Sequence, residues 1–241
     1  MEKPPRKSTA REVTEQAIVA ATSAVPVAGS PLAVAFSMAM GWTYNRRMQD
    51  WLDDLAEAVS ELQGEQGESL DFEDLAGDPV FVDAVVNATR CAQATHQEEK
   101  LDALRNAVVN SIGQDSPSID EQARFFRLVE QFTPAHLRLL SLLHDPGAVL
   151  DSGGIERPNF AMGGRSSIIE LLPEFSGNAA WYQLLANDLA SAGLTNHGGL
   201  NTTISGPSLW LSTTTELGNR FLRFIAPPDQ SKGQSQQDDS S

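Results

Sequence analysis

Hydrophobic and polar positions along this chain fall into runs of helical period separated by short polar breaks. The first run is unusual, because no side chain from Gln16 to Asn45 carries a charge. Pro26 and Pro31 flank Gly29 near its centre. Each proline removes an amide donor and pushes the residue before it out of the α region. The pattern therefore predicts two helical legs joined through Val27, Ala28, Gly29 and Ser30, with Ser30 as N-cap and Pro31 at the first helical position. The second leg continues past the apolar run, since Trp51, Leu55, Val59 and Leu62 recur at helical spacing. Asp50, Asp53, Asp54, Glu57 and Glu61 then form its solvated face.

Beyond a polar loop from Gln63 to Ser69, the pattern predicts a short helix over Leu70 to Ala76. Asp78 caps a helix opened by Pro79, with Phe81, Val85, Ala88 or Thr89, and Ala92 on one face. Leu101, Leu104, Val108 and Ile112 mark an amphipathic helix from Glu98 to Ile112, which Gly113 to Ser118 breaks. Glu121 to Phe132 is helical, and Thr133 with Pro134 opens another helix through His136, Leu139, Leu140 and Leu143. A long glycine-rich loop is expected from Asp145 to Arg165, then a short helix from Ser167 to Leu172. Asn178 caps a helix through Trp181, Leu184, Leu185 and Leu189 that ends at Gly193. Two β-prone runs, Leu200 to Ser205 and Leu209 to Thr213, lie either side of Gly206, Pro207 and Ser208 and read as a hairpin. A last helix runs from Leu217 to Ile225.

The expected fold is mainly α with a small β-hairpin: a helical N-terminal half and a winged-helix-like C-terminal module, with Asn178 to Ala192 in the recognition-helix position. The expected segments are 1–12 without order, 13–62 an apolar helical hairpin and long helix, and 70–118 a helical region. The winged-helix-like module covers 121–225. A tail over 226–241 has almost no apolar side chain to bury and is expected to be disordered.

At 241 residues the chain can build a substantial core. Its 17 basic and 32 acidic side chains give a formal charge of −15, which repels nucleic-acid phosphates and anionic lipid except at a local patch. From Ser166 to Asn219 there is no Lys or Arg. That interval contains the expected recognition helix and wing, so duplex DNA is not an expected partner. A DNA-binding regulator would need Arg124, Arg127, Arg138, Arg220 and Arg223 to cluster on one surface. The single cysteine, Cys91, excludes an intrachain disulfide and fits a reducing cytosol. Glu2, Glu12 and Glu15 ahead of the apolar run do not fit a secretory signal.

Candidate chemistry is sparse, and no catalytic residue, metal site or cofactor is expected. Asp151, Ser152, Gly153 and Gly154 resemble a serine-protease nucleophile turn, but Leu150 stands where that family has glycine, and a nucleophilic serine needs a paired base. His96, His136, His144 and His197 are scattered. His136 and His144 are about 12 Å apart along a helix, too far for shared metal ligation. Cys91 reads as a small buried apolar residue. An enzyme reading would need a deep pocket beside the 145–165 loop with converging His and carboxylate groups.

The charge-free run can be buried in protein or in lipid. Each leg is too short to cross a hydrocarbon core of about 30 Å, so a lipid reading means a shallow hairpin in one leaflet. Lys3, Arg6, Lys7 and Arg11 before it and Arg46 and Arg47 after it would then face one anionic surface. Leu32, Phe36, Met40 and Trp42 are the candidate membrane or partner contacts.

Phe132, Thr133, Pro134, Ala135 and His136 through Leu140, together with Thr215, Leu217, Gly218 and Phe221, resemble the bacterial abortive-infection alpha family over 72–225. The proline-flanked apolar run with Arg46, Arg47, Trp51 and Leu52 also resembles a group of bacterial proteins without an assigned activity. These resemblances imply a bacterial source and a role in phage defence, and they carry no catalytic residues. The expected function is a non-enzymatic interaction or regulatory protein of the cytoplasm or the inner-membrane periphery. Its expected partner is a protein, a second copy or a membrane surface, with a DNA-binding winged-helix regulator or an enzyme as the alternatives.

Overall fold

A computed structural model describes residues 31–66, 72–112, 116–196 and 199–228, with the side chains of 31–39, 63–66 and 72–73 outside the description. The first predicted leg, the two chain ends and His197 lie outside the described residues. The chain forms two compact units, Met1–Asn45 and Arg46–Ser241. Among the described residues the fold is mainly helical with one small two-stranded antiparallel β element.

Helix α1, Pro31–Gln66, opens at the predicted proline and runs unbroken from the described part of the apolar run, 31–45, through the acidic stretch. It extends into the expected 63–69 loop, whose Glu and Gln residues are good helix formers. Within the second unit, Trp51, Leu55, Val59 and Leu62 are buried and the five carboxylates between Asp50 and Glu61 are exposed. The Trp51 indole donates to Thr89 Oγ1 at 3.1 Å and fixes α1 on α3.

Helix α2 is Phe72–Gly77, and α3, Pro79–Gln93, begins where the Asp78 carboxylate accepts from the Val80 amide. Helix α4 is Glu98–Val109 and α5 is Ile119–Gln131, the latter with a reciprocal Ser118–Glu121 capping box. Helix α6 is Pro134–His144. Helix α3 packs on α4 and α5, and the last helix packs on α4 and α6. Their apolar faces meet in one core, where Phe125 lies 5.4 Å from both Phe221 and Phe224.

The expected 145–165 loop begins as a helix. Asp145 caps α7, Pro146–Ser152, through the Ala148 amide, and Pro146 occupies the first turn. Gly154 at φ 65° closes it, with Ile155 N–H donating to Leu150 C=O at 2.9 Å. An Asp-Pro start and a Gly stop within nine residues are helix punctuation that composition alone reads as a loop. The following β1, Met162–Gly163, leads into α8, Ser166–Ile169. Helix α9, Ala179–Ser191, has its predicted Asn178 cap and Gly193 stop.

The β element corrects the predicted hairpin. Strand β2, Ile204–Ser205, lies in the first β-prone run, but its antiparallel partner is β1, with Met162 opposite Ser205 and Gly163 opposite Ile204. The second run begins as a helical turn, α10, Gly206–Leu209, with Pro207 in its first turn. Gly206 packs so close to the Phe160 carbonyl oxygen that no Cβ fits. The Arg165 guanidinium takes the carbonyls of Ser208, Leu209 and Leu211, acceptors that a hairpin ladder would require. Residues 194–196 instead pair with 213–215 before α11, Glu216–Ile225.

Candidate functional site

Among the described residues the first unit supplies the most exposed large apolar side chain, Trp42. Met40 is 55% exposed, Trp42 83% and Tyr44 46%. Successive helical positions turn by about 100°, so Trp42 points away from the side shared by Met40 and Tyr44. Leu32 and Phe36 lie on the same helix, and their side chains fall outside the described residues. The helix therefore carries apolar groups on opposing sides, unlike an amphipathic surface helix with one polar face. Tyr44 was missed by sequence reasoning. Its signal is its place between Trp42 and the Arg46, Arg47 pair, the arrangement of an aromatic belt beside basic residues. Among the described residues no helix is long and apolar enough to cross a membrane.

In the second unit the arginines that could contact nucleic acid are engaged within the fold. Arg124 donates to the Ala192 carbonyl at 2.7 Å, and Arg220 pairs with Glu121 at 2.7 Å. Arg138 lies between Glu99 at 2.6 Å and Glu174 at 3.1 Å, and Arg223 lies 3.6 Å from Glu216. Arg127 bonds back to Ala123 C=O on its own helix. Three of these guanidiniums face carboxylates and two are engaged by backbone carbonyls, so they do not form an open phosphate-binding surface. The outer face of α9 carries the exposed Trp181 and Leu184 and no basic side chain.

A hydroxyl, an imidazole and a carboxylate meet at Thr133, His136 and Asp188. His136 Nε2 is 3.3 Å from Asp188 Oδ2, and its Nδ1 lies 2.9 Å from Thr133 Oγ1. The Thr133 amide also donates to Nδ1 at 3.1 Å, which makes this nitrogen an acceptor and the imidazole part of the α6 cap. His136 is buried and stacked on Phe132 at 4.9 Å. The three residues brace α6 against α9, a pairing across 52 positions that local sequence does not reveal. Ser152 donates to the Val149 carbonyl at 3.0 Å at the end of α7, and Asp151 pairs with Arg157. Cys91 is buried, and that burial pushes its thiol pKa up, with Glu130 adding to the effect. Such a thiol is a weak nucleophile at neutral pH.

Among the described residues a groove of about 890 Å³ lies between α4, α6 and α11. Ala103, Leu137, Val149, Leu172, Leu222 and Ile225 line its floor, and the paired Glu99, Arg138 and Glu174 lie at its rim. Among the described residues no group of three His, Cys, Asp or Glu side chains is placed to hold a metal ion.

No protein-family model matches the chain, and no match was found among curated proteins or solved structures.

Proposed function

We propose that this chain is a non-enzymatic interaction or regulatory protein of the bacterial cytoplasm, acting through the apolar end of α1. The observation that carries the reading is Trp42, 83% exposed within a run of thirty residues that lacks any charge. A lone exposed aromatic needs no partner, but a contiguous exposed apolar region marks a contact surface, and Trp42 stands in one with Met40 and Tyr44 around it. Residues 121–225 are read as a winged-helix-like module, with α5, α6 and α9 standing in for its three helices and the pairing of 194–196 with 213–215 standing in for the base of its wing. The absence of basic side chains from the outer face of α9 supports protein contact over DNA contact. A role in phage defence follows only from the resemblance to the abortive-infection alpha family.

In-cell photo-cross-linking tests the reading. A photoreactive residue at Trp42 should give cross-links to protein or lipid well above those from Glu57, an exposed position on the acidic part of the same helix. Equal, background-level cross-linking at both positions would overturn it.

A further inference from the structure

Resting on that contact reading, we infer that the occupant of the α1 apolar end is one leaflet of an anionic membrane. The leg enters that leaflet without crossing the bilayer, and Trp42 and Tyr44 sit at headgroup depth. Three observations select lipid over protein.

The first is length. From Pro31 to Asn45 the charge-free part of α1 covers about 22 Å at 1.5 Å per residue. That reaches through one leaflet of a hydrocarbon core of about 30 Å but does not cross it. The second is shape. Apolar groups on opposing sides of the helix suit immersion, whereas a groove-binding helix presents one apolar stripe and a polar back.

The third is charge segregation. Residues 1–47 hold Lys3, Arg6, Lys7, Arg11, Arg46 and Arg47 against Glu2, Glu12 and Glu15, a net of +3 in a chain of −15. The remainder therefore carries −18. The Arg46 side chain, one helical turn past Trp42, is 85% exposed and only loosely paired with the likewise exposed Asp50, at 3.9 Å, a contact worth little in water. Anionic headgroups attract the exposed Arg46 and Arg47 and the basic N-terminal sequence, and repel the acidic remainder of the chain. A second copy packed in parallel would bring like charges together.

The test uses the full chain, floated with phosphatidylcholine vesicles that contain or lack about a third phosphatidylglycerol. Binding should require the anionic lipid and weaken at least tenfold between about 0.1 M and 0.5 M salt. Arg46→Glu with Arg47→Glu should weaken it about tenfold or more, and Trp42→Ser should weaken it as well. Circular dichroism should show all these variants folded, because the changed side chains are exposed. Four tryptophans are present, so the difference in fluorescence between wild type and Trp42→Phe isolates Trp42. Lipids brominated near the headgroup should quench that difference signal.

Lack of binding by the folded chain, or binding indifferent to Trp42 and the arginines, would overturn the lipid assignment. So would a concentration-dependent dimer that protects Trp42 without lipid. If vesicles fail while Trp42 still cross-links to protein in cells, the contact reading stands and only its lipid partner falls. Failure of both removes both.

Discussion

Trp42 and Trp51 lie nine residues apart on one continuous helix and occupy opposite extremes of exposure, 83% and 4%. The chemistry of the two side chains is identical, so the difference comes from what surrounds them in sequence. Around Trp51 the apolar positions recur every three or four residues and acidic groups fill the gaps, which leaves one stripe to bury. Around Trp42 the gaps are themselves apolar or uncharged. A stripe can be covered by the neighbouring helices of a small domain; an all-round apolar helix needs an environment on every side. Apolar content thus says that a segment must be covered, and its periodicity says whether the chain's own core can cover it.

The strongest way to break the comparison is at the buried end. Trp51→Ala removes an anchored side chain and its hydrogen bond to Thr89. It should cost about 3–5 kcal/mol, read as a lower urea midpoint for the second unit. A loss below 1 kcal/mol would mean that α1 contributes little to that core.

Next in size is Gly218→Ala. Alanine favours a helix over glycine by about 1 kcal/mol, so propensity alone predicts stabilisation. Yet a Cβ at this position of α11 collides with the Leu194 carbonyl oxygen, a backbone atom held by the Thr215 amide. The collision should win, with a net loss of about 1–3 kcal/mol in chemical denaturation.

These contacts separate what the sequence displays from what it conceals. The α1 stripe and the Asp78, Asn178 and Gly193 helix boundaries were legible because each depends on residues within a turn or two. The α7 helix was hidden because seven residues give too few apolar repeats to establish a period. The β1–β2 pairing was hidden because its partners are more than forty residues apart and neither strand is long enough to alternate. At the candidate site the apolar run, Met40 and Trp42 were legible, whereas their exposure was not: burial is settled by where other segments pack. The groove and the His136–Asp188 brace were invisible for the same reason.

Asn110→Ala tests one such concealed contact. The Asn110 amide donates to the carbonyls of Arg223 at 3.2 Å, Phe224 at 3.0 Å and Ala226 at 2.8 Å, so α4 caps the end of α11. Its loss should cost about 1–2 kcal/mol and speed hydrogen exchange at the end of α11 more than in α3.

A pH series probes the buried side without changing its shape. Burial raises the Cys91 thiol pKa above its ordinary value of 9.0. Below that value both folded and unfolded chains hold the proton, and the stability from burial is fully present. As pH rises past it, the unfolded chain releases the proton first and stability falls, by at most about 1.4 kcal/mol per pH unit. Cys91→Ala should flatten part of the decline in melting temperature above about pH 9. Tyr182, also raised by burial and by its bond to Glu170, supplies a further decline that Tyr182→Phe should remove.

The smallest effect is the one that sharpens the comparison most. Trp42→Ala deletes as many atoms as Trp51→Ala, yet in the free chain those atoms already face water and their removal opens no cavity. Alanine is also the better helix former by a few tenths of a kcal/mol. The stability of the free protein should therefore change by no more than about 0.5 kcal/mol, with a slight gain the expected sign. The urea midpoint and the slope of unfolding should both stay at wild-type values, because no additional surface is exposed. A loss above about 1 kcal/mol would mean that Trp42 is packed in the free chain, and the contrast with Trp51 would collapse. A neutral result in the free chain, joined to weakened vesicle binding by the same variant, would locate the value of this side chain outside the fold.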